Sequence, residues 1–243
     1  MNLIIDVGNS FVKLAVFEEG MLKHKEVVRL NFVLEGINIL KEKYISIKKA
    51  IISSVGKLNK GDIKAISKSF DVMILDANIK LPFKNLYATP NTLGVDRIAL
   101  VCASVEQFSN NNVLIIDAGT CITYDFVTAK NEYIGGAISP GLRMRYKSLN
   151  NLTVNLPLLE SEIPKSITGN STNESIHSGV VFGILKEIEG IIDEYRRKYS
   201  DLTVILTGGD TNFLSKQLKS SIFANSNFLL EGLNFILQFN LNE

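Results

Sequence analysis

Leu3-Ile4-Ile5-Asp6-Val7-Gly8-Asn9-Ser10 and Leu114-Ile115-Ile116-Asp117-Ala118-Gly119-Thr120-Cys121 share the string L-I-I-D-x-G, and this repetition decides how the chain is read. In both copies an apolar, β-branched run reaches an Asp, a Gly and a small polar residue. A second β-rich run, Phe11 to Phe17 or Ile122 to Val127, follows at once, and Glu19-Gly20 and Lys130-Asn131 supply the next turns. Each half of the chain is therefore expected to open with a β-hairpin whose tight turn holds an Asp.

Outward from the hairpins the pattern alternates between strands and helices. Lys49 to Val55 reads as a strand, Gly61 to Phe70 as a helix and Val72 to Leu75 as a strand. Ile98, Val101, Val105 and Phe108 fall at helical spacing in a helix that begins at Gly94-Val95-Asp96-Arg97, which puts Asp96 and Arg97 in its first turn. Ser171-Thr172-Asn173-Glu174 resembles a capping box at the start of a long helix ending near Tyr199. Ile176, Val180, Ile184, Ile188, Ile191 and Tyr195 would form its buried stripe. Leu202 to Leu206 reads as a buried strand ended by Thr207-Gly208-Gly209-Asp210. The expected class is α/β organisation repeated twice, residues 1–112 and 113–243, with a cleft between the halves.

Composition narrows the function. The apolar share of 46% and charged share of 21% describe a globular chain, and 26 Lys plus Arg against 25 Asp plus Glu provide no bulk attraction for nucleic acid or an anionic membrane. No apolar run approaches the roughly 20 residues of a membrane helix, and Asp6 interrupts the N-terminal apolar stretch where a secretory signal would need continuity, so a cytoplasmic protein is expected. Cys102 and Cys121 form no C-x-x-C pair, and His24 and His177 stand apart, which speaks against a disulfide framework or a structural zinc site.

The chemistry must therefore lie in the turns. No G-x-x-x-x-G-K-[ST] loop or G-x-G-x-x-G turn occurs, and Gly56-Lys57, the nearest approach, fails the pattern. A single D-x-G ends many hairpins for conformational reasons alone. Two copies after the same L-I-I, joined by Thr207-Gly208-Gly209-Asp210, point to phosphate handling instead. Glycine admits a close backbone approach, neighbouring N–H and hydroxyl groups donate to phosphate oxygens, and Asp can hold a cation. Lys13 could add a point charge. Gly179 and Gly183, one turn apart, would admit another backbone, from this chain or from a second copy.

Five motifs occur in one order over nearly the whole chain: Asp6 to Ser10, Asn91 to Arg97, Asp117 to Thr120, Gly135-Gly136-Ala137-Ile138-Ser139-Pro140-Gly141 and Thr207 to Asp210. Together they resemble the superfamily of actin, sugar kinases, acetate kinase and heat-shock chaperones, with two ribonuclease H-like halves in an actin-like ATPase fold. Within it the chain is most similar to type III pantothenate kinases. That resemblance implies ATP-dependent phosphorylation of pantothenate to 4'-phosphopantothenate, the first step of coenzyme A biosynthesis. It implies ATP contacts from Asp6, Val7, Gly8, Asn9, Ser10, Phe11, Val12, Lys13 and Thr120, with Mg²⁺ accompanying the nucleotide. It also implies a monovalent cation, K⁺ or NH₄⁺, at Asp117. Tyr87, Gly94, Val95, Asp96, Arg97 and Thr172 would form the pantothenate site, with Asp96 as proton acceptor, and the active form would be a homodimer whose chains both line the pocket. Cys121 departs from the alanine frequent in the family, which leaves thiol sensitivity open, and Tyr146 to Ser166 looks individual.

Taken without the resemblance, Asp96 could be a helix cap, Arg97 a surface ion pair and Tyr87 a core plug. Two other readings keep the fold: a transcriptional accessory protein, and a phosphatase whose acceptor is water. The balanced charge and the lack of a basic helix argue against the first. Arg97 beside Asp96, suited to an anionic substrate carrying a hydroxyl, argues against the second.

Overall fold

The structure is a computed structural model. It describes residues 1–8, 11–54, 58–76 and 79–241, so Asn9, Ser10, Gly56-Lys57 and the expected strand end at Val55 lie outside the described residues. The chain divides into two compact units, residues 1–107 with 228–243, and residues 108–227.

In the first unit β1 (Asn2–Val7), β2 (Phe11–Glu18), β3 (Met21–Arg29), β4 (Lys49–Ser54) and β5 (Asp71–Ile74) form a sheet in the order β3-β2-β1-β4-β5. Strand β1 is central, antiparallel to β2 and parallel to β4. Both of its faces are covered, which explains why Leu3, Ile4 and Ile5 run consecutively apolar and are all buried. One face carries Leu3, Ile5, Val7 and Leu14 against α1 (Val33–Lys43), whose Val33, Ile37 and Leu40 recur at spacings of four and three. Helix α2 (Lys60–Ser67) packs beside α1 and is capped by the Asn59 side chain, which accepts the Asp62 N–H at 2.9 Å. A two-residue strand, β6 (Lys84–Asn85), precedes α3 (Val95–Gln107). At the edge, β3 buries no residue and carries Lys23 and Lys25, which discourage further strand pairing.

In the second unit β7 (Val113–Ala118), β8 (Cys121–Val127), β9 (Glu132–Pro140), β10 (Thr203–Thr207) and β11 (Phe223–Ala224) lie in the order β9-β8-β7-β10-β11. This is the order of the first sheet strand for strand. Strand β7 is antiparallel to β8 and parallel to β10, as β1 is to β2 and β4. The repeated L-I-I-D-x-G strings therefore occupy the same topological place. The Glu19-Gly20 turn has φ of 51° and 79°, and Asn131 has φ 55°, the left-handed values that the turn residues promised. Helix α4 (Leu142–Asn151) follows β9, and α5 (Thr172–His177), a π turn (Ser178–Phe182) and α6 (Gly183–Lys198) form one continuous helical run.

That run refines the expected single helix. Ser171 accepts the Glu174 N–H at 3.3 Å, but the Glu174 carboxylate takes the Asn170 N–H rather than that of Ser171. The wide π turn changes the phase of the apolar stripe, so Ile192 is fully buried while Ile191 and Tyr195 are only partly so. After α7 (Thr211–Leu214), the C-terminal helix α8 (Phe228–Phe239) returns to the first unit. A division at 112/113 would have placed α8 with the second half; it packs instead on α3, β1 and β4, where its apolar residues cover the face of β1 opposite α1.

The α3–α8 contact is set by Gly232, where an added Cβ would fall on the Ala99 carbonyl oxygen. Gly232→Ala is expected to overpack this seam and lower stability by about 2 kcal/mol. A urea unfolding midpoint equal to that of the parent chain would show that the two backbones do not need this approach.

Candidate active site

Residue pairing across β1 and β2 places Asp6 opposite Lys13, and the Lys13 ammonium reaches the Asp6 carboxylate at 3.3 Å. Beyond them Gly8 closes the turn, its N–H donating to the Phe11 carbonyl at 3.0 Å. Phe11 is exposed and Val12 buried, so only some of the turn residues offer surface to a ligand. The Asp6 side chain is 14% exposed. Burial pushes its carboxyl above the usual carboxylate range; Lys13 opposes this by charge and hydrogen bond, and the charge of Asp96 adds to it.

Asp96 lies in the first turn of α3, as its position after Gly94 predicts. Its Oδ1 accepts the Arg97 N–H at 2.8 Å. The carboxylate folds back so closely over Gly94 that a Cβ there would strike Oδ1. Arg97 is not a surface residue but 6% exposed, with its guanidinium carbon 5.6 Å from the centre of the Tyr87 ring, a cation–π arrangement. Tyr87 is oriented by its own N–H, which donates to Asn85 Oδ1 at 3.0 Å. The structure thus brings Tyr87 and Arg97 together, and the charge of Asp96 is felt at Asp6.

In the second unit three glycine turns converge at the end of β7. Gly119 N–H donates to the Cys121 carbonyl at 2.9 Å, closing the second hairpin with Thr120 exposed at its tip. Thr207 pairs with Asp117 across β10 and β7. Gly208 follows with φ 97°, and a Cβ there would meet Asp117 Oδ1 and the Ala118 carbonyl. Asp210 N–H then donates to the Ala118 carbonyl at 2.9 Å, and burial raises the Asp210 carboxyl. From the other side Gly141 N–H donates to the Thr120 carbonyl at 3.1 Å. This last contact had no assigned role in the sequence; its signal was the closing Pro-Gly of Gly135 to Gly141.

Thr172, also in the second unit, is exposed at the start of α5 and lines a cavity of about 950 Å³ with Arg145, Ser171, Ser175 and Gly179. Among the described residues nothing lies within 4 Å of where a Gly179 Cβ would be, so packing among them does not account for that glycine. Both histidines have structural partners: His24 lies 3.2 Å from Glu26, and the buried His177 lies 2.9 Å from the Tyr146 hydroxyl. Cys102 is buried, which pushes its thiol up and leaves it inert, whereas Cys121 is half-buried.

Among the described residues no three His, Cys, Asp or Glu side chains converge as a metal cluster. A Mg²⁺ that arrives with a triphosphate and takes one carboxylate, such as Asp6, fits this donor set. Asp117, with its carboxylate against the Gly208 turn, offers one anionic ligand among backbone groups, the kind of oxygen-rich site a monovalent cation would take. No helix is long and apolar enough to cross a membrane among the described residues.

Comparison with known proteins gives the family and the fold. The sequence model of the family described as "Type III pantothenate kinase" matches residues 2–194. A protein of that name from Christiangramia forsetii is 54% identical over 99% of this chain and 99% of its own. Among solved structures, a Campylobacter jejuni protein whose name assigns it to a Baf family of transcriptional activators has a TM-score of 0.67, with 21% identity, over 99% of this chain and 100% of that one. A ROK family glucokinase from Streptomyces griseus, solved with glucose and AMPPNP, has a TM-score of 0.57 at 10% identity over 100% of this chain and 99% of that one. The second pair shows the fold, that of the actin-like kinases and ATPases, and the first pair shows the lineage: the chain belongs to the type III pantothenate kinase family.

Proposed function

We propose that the chain transfers the γ-phosphoryl group of ATP to the terminal hydroxyl of pantothenate, giving 4'-phosphopantothenate and ADP in the first step of coenzyme A biosynthesis. Membership of the family over nearly the full length supports the activity. The observation that carries the reading of the site is the first turn of α3, where the Arg97 N–H holds one Asp96 oxygen and the Arg97 guanidinium lies over Tyr87.

Phosphoryl transfer proceeds through a loose transition state, so the protein contributes position and charge rather than a strong base. Asp6, Val7, Gly8, Phe11, Val12 and Lys13 present backbone and charge to the phosphates, and Thr120 adds a hydroxyl from the second hairpin. Asn9 and Ser10 are assigned to the same role from the sequence. One Asp96 oxygen is held by the Arg97 N–H, and the other orients the substrate hydroxyl. That hydroxyl oxygen bonds to the γ-phosphorus as the bond to the ADP oxygen breaks, and its proton passes late to Asp96. Arg97, over the Tyr87 ring, meets the pantothenate carboxylate as a fork. Gly94, Val95 and Thr172 complete the substrate contacts.

Asp117 is assigned to K⁺ or NH₄⁺, and the open Gly179 surface to the face of a homodimer. The reaction belongs in the cytoplasm, where its nucleotide is. The regulator reading gains nothing from the Campylobacter neighbour, since 21% identity supports the fold alone.

Purified protein with Mg²⁺ and K⁺ is expected to form phosphopantothenate from ATP and pantothenate, and to slow when K⁺ is replaced by Na⁺. Release of inorganic phosphate at one rate with or without pantothenate would make it a phosphatase. Equal rates in K⁺ and Na⁺ would remove the cation from Asp117.

A further inference from the structure

One network in the second unit has no part in the assignments above. Glu187, on α6, accepts the Tyr124 hydroxyl at 2.8 Å and Arg145 Nη2 at 2.5 Å, and the Ser139 hydroxyl also bonds its carboxylate. Arg145, on α4, turns the same guanidinium back on the strand before it: Nε donates to the Pro140 carbonyl at 2.9 Å and Nη2 to Ser139 Oγ at 2.9 Å. Both side chains are largely shielded, at 21% and 25% exposed. Burial alone would raise the Glu187 carboxyl, but the hydrogen bonds from Arg145, Ser139 and Tyr124 hold it below the usual carboxylate range.

The network ends on the second phosphate hairpin. Ser139 and Pro140 pair with Ile122 and Cys121 at the end of β9, and the next residue is Gly141. Its N–H bonds the Thr120 carbonyl, and its Cα lies so near the Gly119 and Thr120 carbonyls that no Cβ fits. Contact therefore runs without a gap from Glu187 through Arg145 and the Ser139-Pro140-Gly141 turn to the Gly119-Thr120 tip. The tip is two residues, Gly119 and Thr120, with Thr120 exposed, and a misplacement of about 1 Å at a reacting group costs on the order of a hundredfold in rate.

We propose that Arg145 and Glu187 are positioning residues for the nucleotide: their bridge presses the Ser139-Pro140-Gly141 turn onto the second hairpin and fixes Thr120 against the ATP phosphates. The inference rests on the assignment of Thr120 to ATP made above. A bridge that merely joined α4 to α6 would affect folding alone. A bridge that places the hairpin affects ATP selectively; Arg145 also lines the cavity that holds Thr172 whereas Glu187 does not, so the substitution that tests it is made at Glu187.

The test is steady-state kinetics of the full chain with both substrates varied, alongside thermal melting. Glu187→Gln keeps the shape and the bond from Tyr124 but removes the counter-charge of Arg145. It is expected to raise KM for ATP about tenfold, with kcat and KM for pantothenate changed less than about twofold. Tyr124→Phe, which removes one bond to Glu187, is expected to move KM for ATP the same way by about threefold. Equal rises in both KM values, or a lower melting temperature with KM for ATP unchanged, would overturn the proposal. Should Glu187→Gln not accumulate as folded protein, Ser139→Ala must give the same split, and its failure to do so overturns the inference equally. Thr120→Ala separates the two levels. If it leaves KM for ATP unchanged, the ATP role of the hairpin falls and this inference with it; if it raises KM for ATP while Glu187→Gln does not, the inference alone is wrong.

Discussion

Asp96→Asn is expected to fold, to bind nucleotide and to lose about 10²- to 10³-fold in kcat, the contribution typical of a positioned proton acceptor. The substitution is nearly isosteric. An asparagine Oδ1 can still accept the Arg97 N–H, so the first turn of α3 keeps its geometry and Arg97 keeps its place over Tyr87. What disappears is the oxygen able to take the hydroxyl proton as the bond to phosphorus forms. Turnover near that of the parent chain would remove Asp96 from the mechanism, and loss of nucleotide binding would assign it to the phosphates instead.

The same variant tests the coupling of Asp96 to Asp6. Burial raises the Asp6 carboxyl and the charge of Asp96 raises it further, while Lys13 opposes both. A raised carboxyl loses its charge at a higher pH than an ordinary one, so engagement of the nucleotide with its metal should weaken as pH falls through that region. Deleting the Asp96 charge removes one of the raising influences, and the acid limb of nucleotide binding in Asp96→Asn is expected to move to lower pH. Binding isotherms taken across the acid range for both proteins check the direction.

The sequence was legible where local chemistry and packing agree. The paired L-I-I-D-x-G strings announced two central strands because those strands are covered on both faces, and a strand covered on both faces must be continuously apolar. The first turn of α3 was legible because glycine before Asp-Arg marks a helix start. The burial of Arg97 was not. In sequence an arginine in the first turn of a helix looks solvated, whereas here Arg97 is buried with its guanidinium over the Tyr87 ring, ten residues away in the chain. Strand β3, with its run of charges, lacks a buried face and so left no periodic signal. Helix α8 went unread in the sequence, and its return to the first unit is a tertiary event written in the contact of Gly232 with Ala99. The bridge between Arg145 and Glu187 spans α4 and α6, far apart in the chain, and no spacing rule connects them.

Gly141→Ala is the second change from which a large effect is expected, about a hundredfold loss in kcat/KM for ATP. Gly141 has φ −71° and ψ 171°, a backbone conformation open to every residue, so no conformational argument requires glycine there. Space does. An added methyl would fall on the Gly119 and Thr120 carbonyl oxygens, which are backbone atoms of the hairpin and have no side-chain freedom with which to yield. Either the hairpin tip or the start of α4 must move, and α4 is anchored through Leu142 and Tyr146 in the core of the second unit. The tip is the softer partner, since Thr120 is exposed, so the displacement should fall on the group assigned to ATP and leave the fold largely intact. A raised KM for ATP with an unchanged KM for pantothenate, in a protein that still melts cooperatively, is the result this geometry requires. Parent-like kinetics with ATP would mean that the Gly141 contact bears no relation to nucleotide binding, however close the two backbones lie.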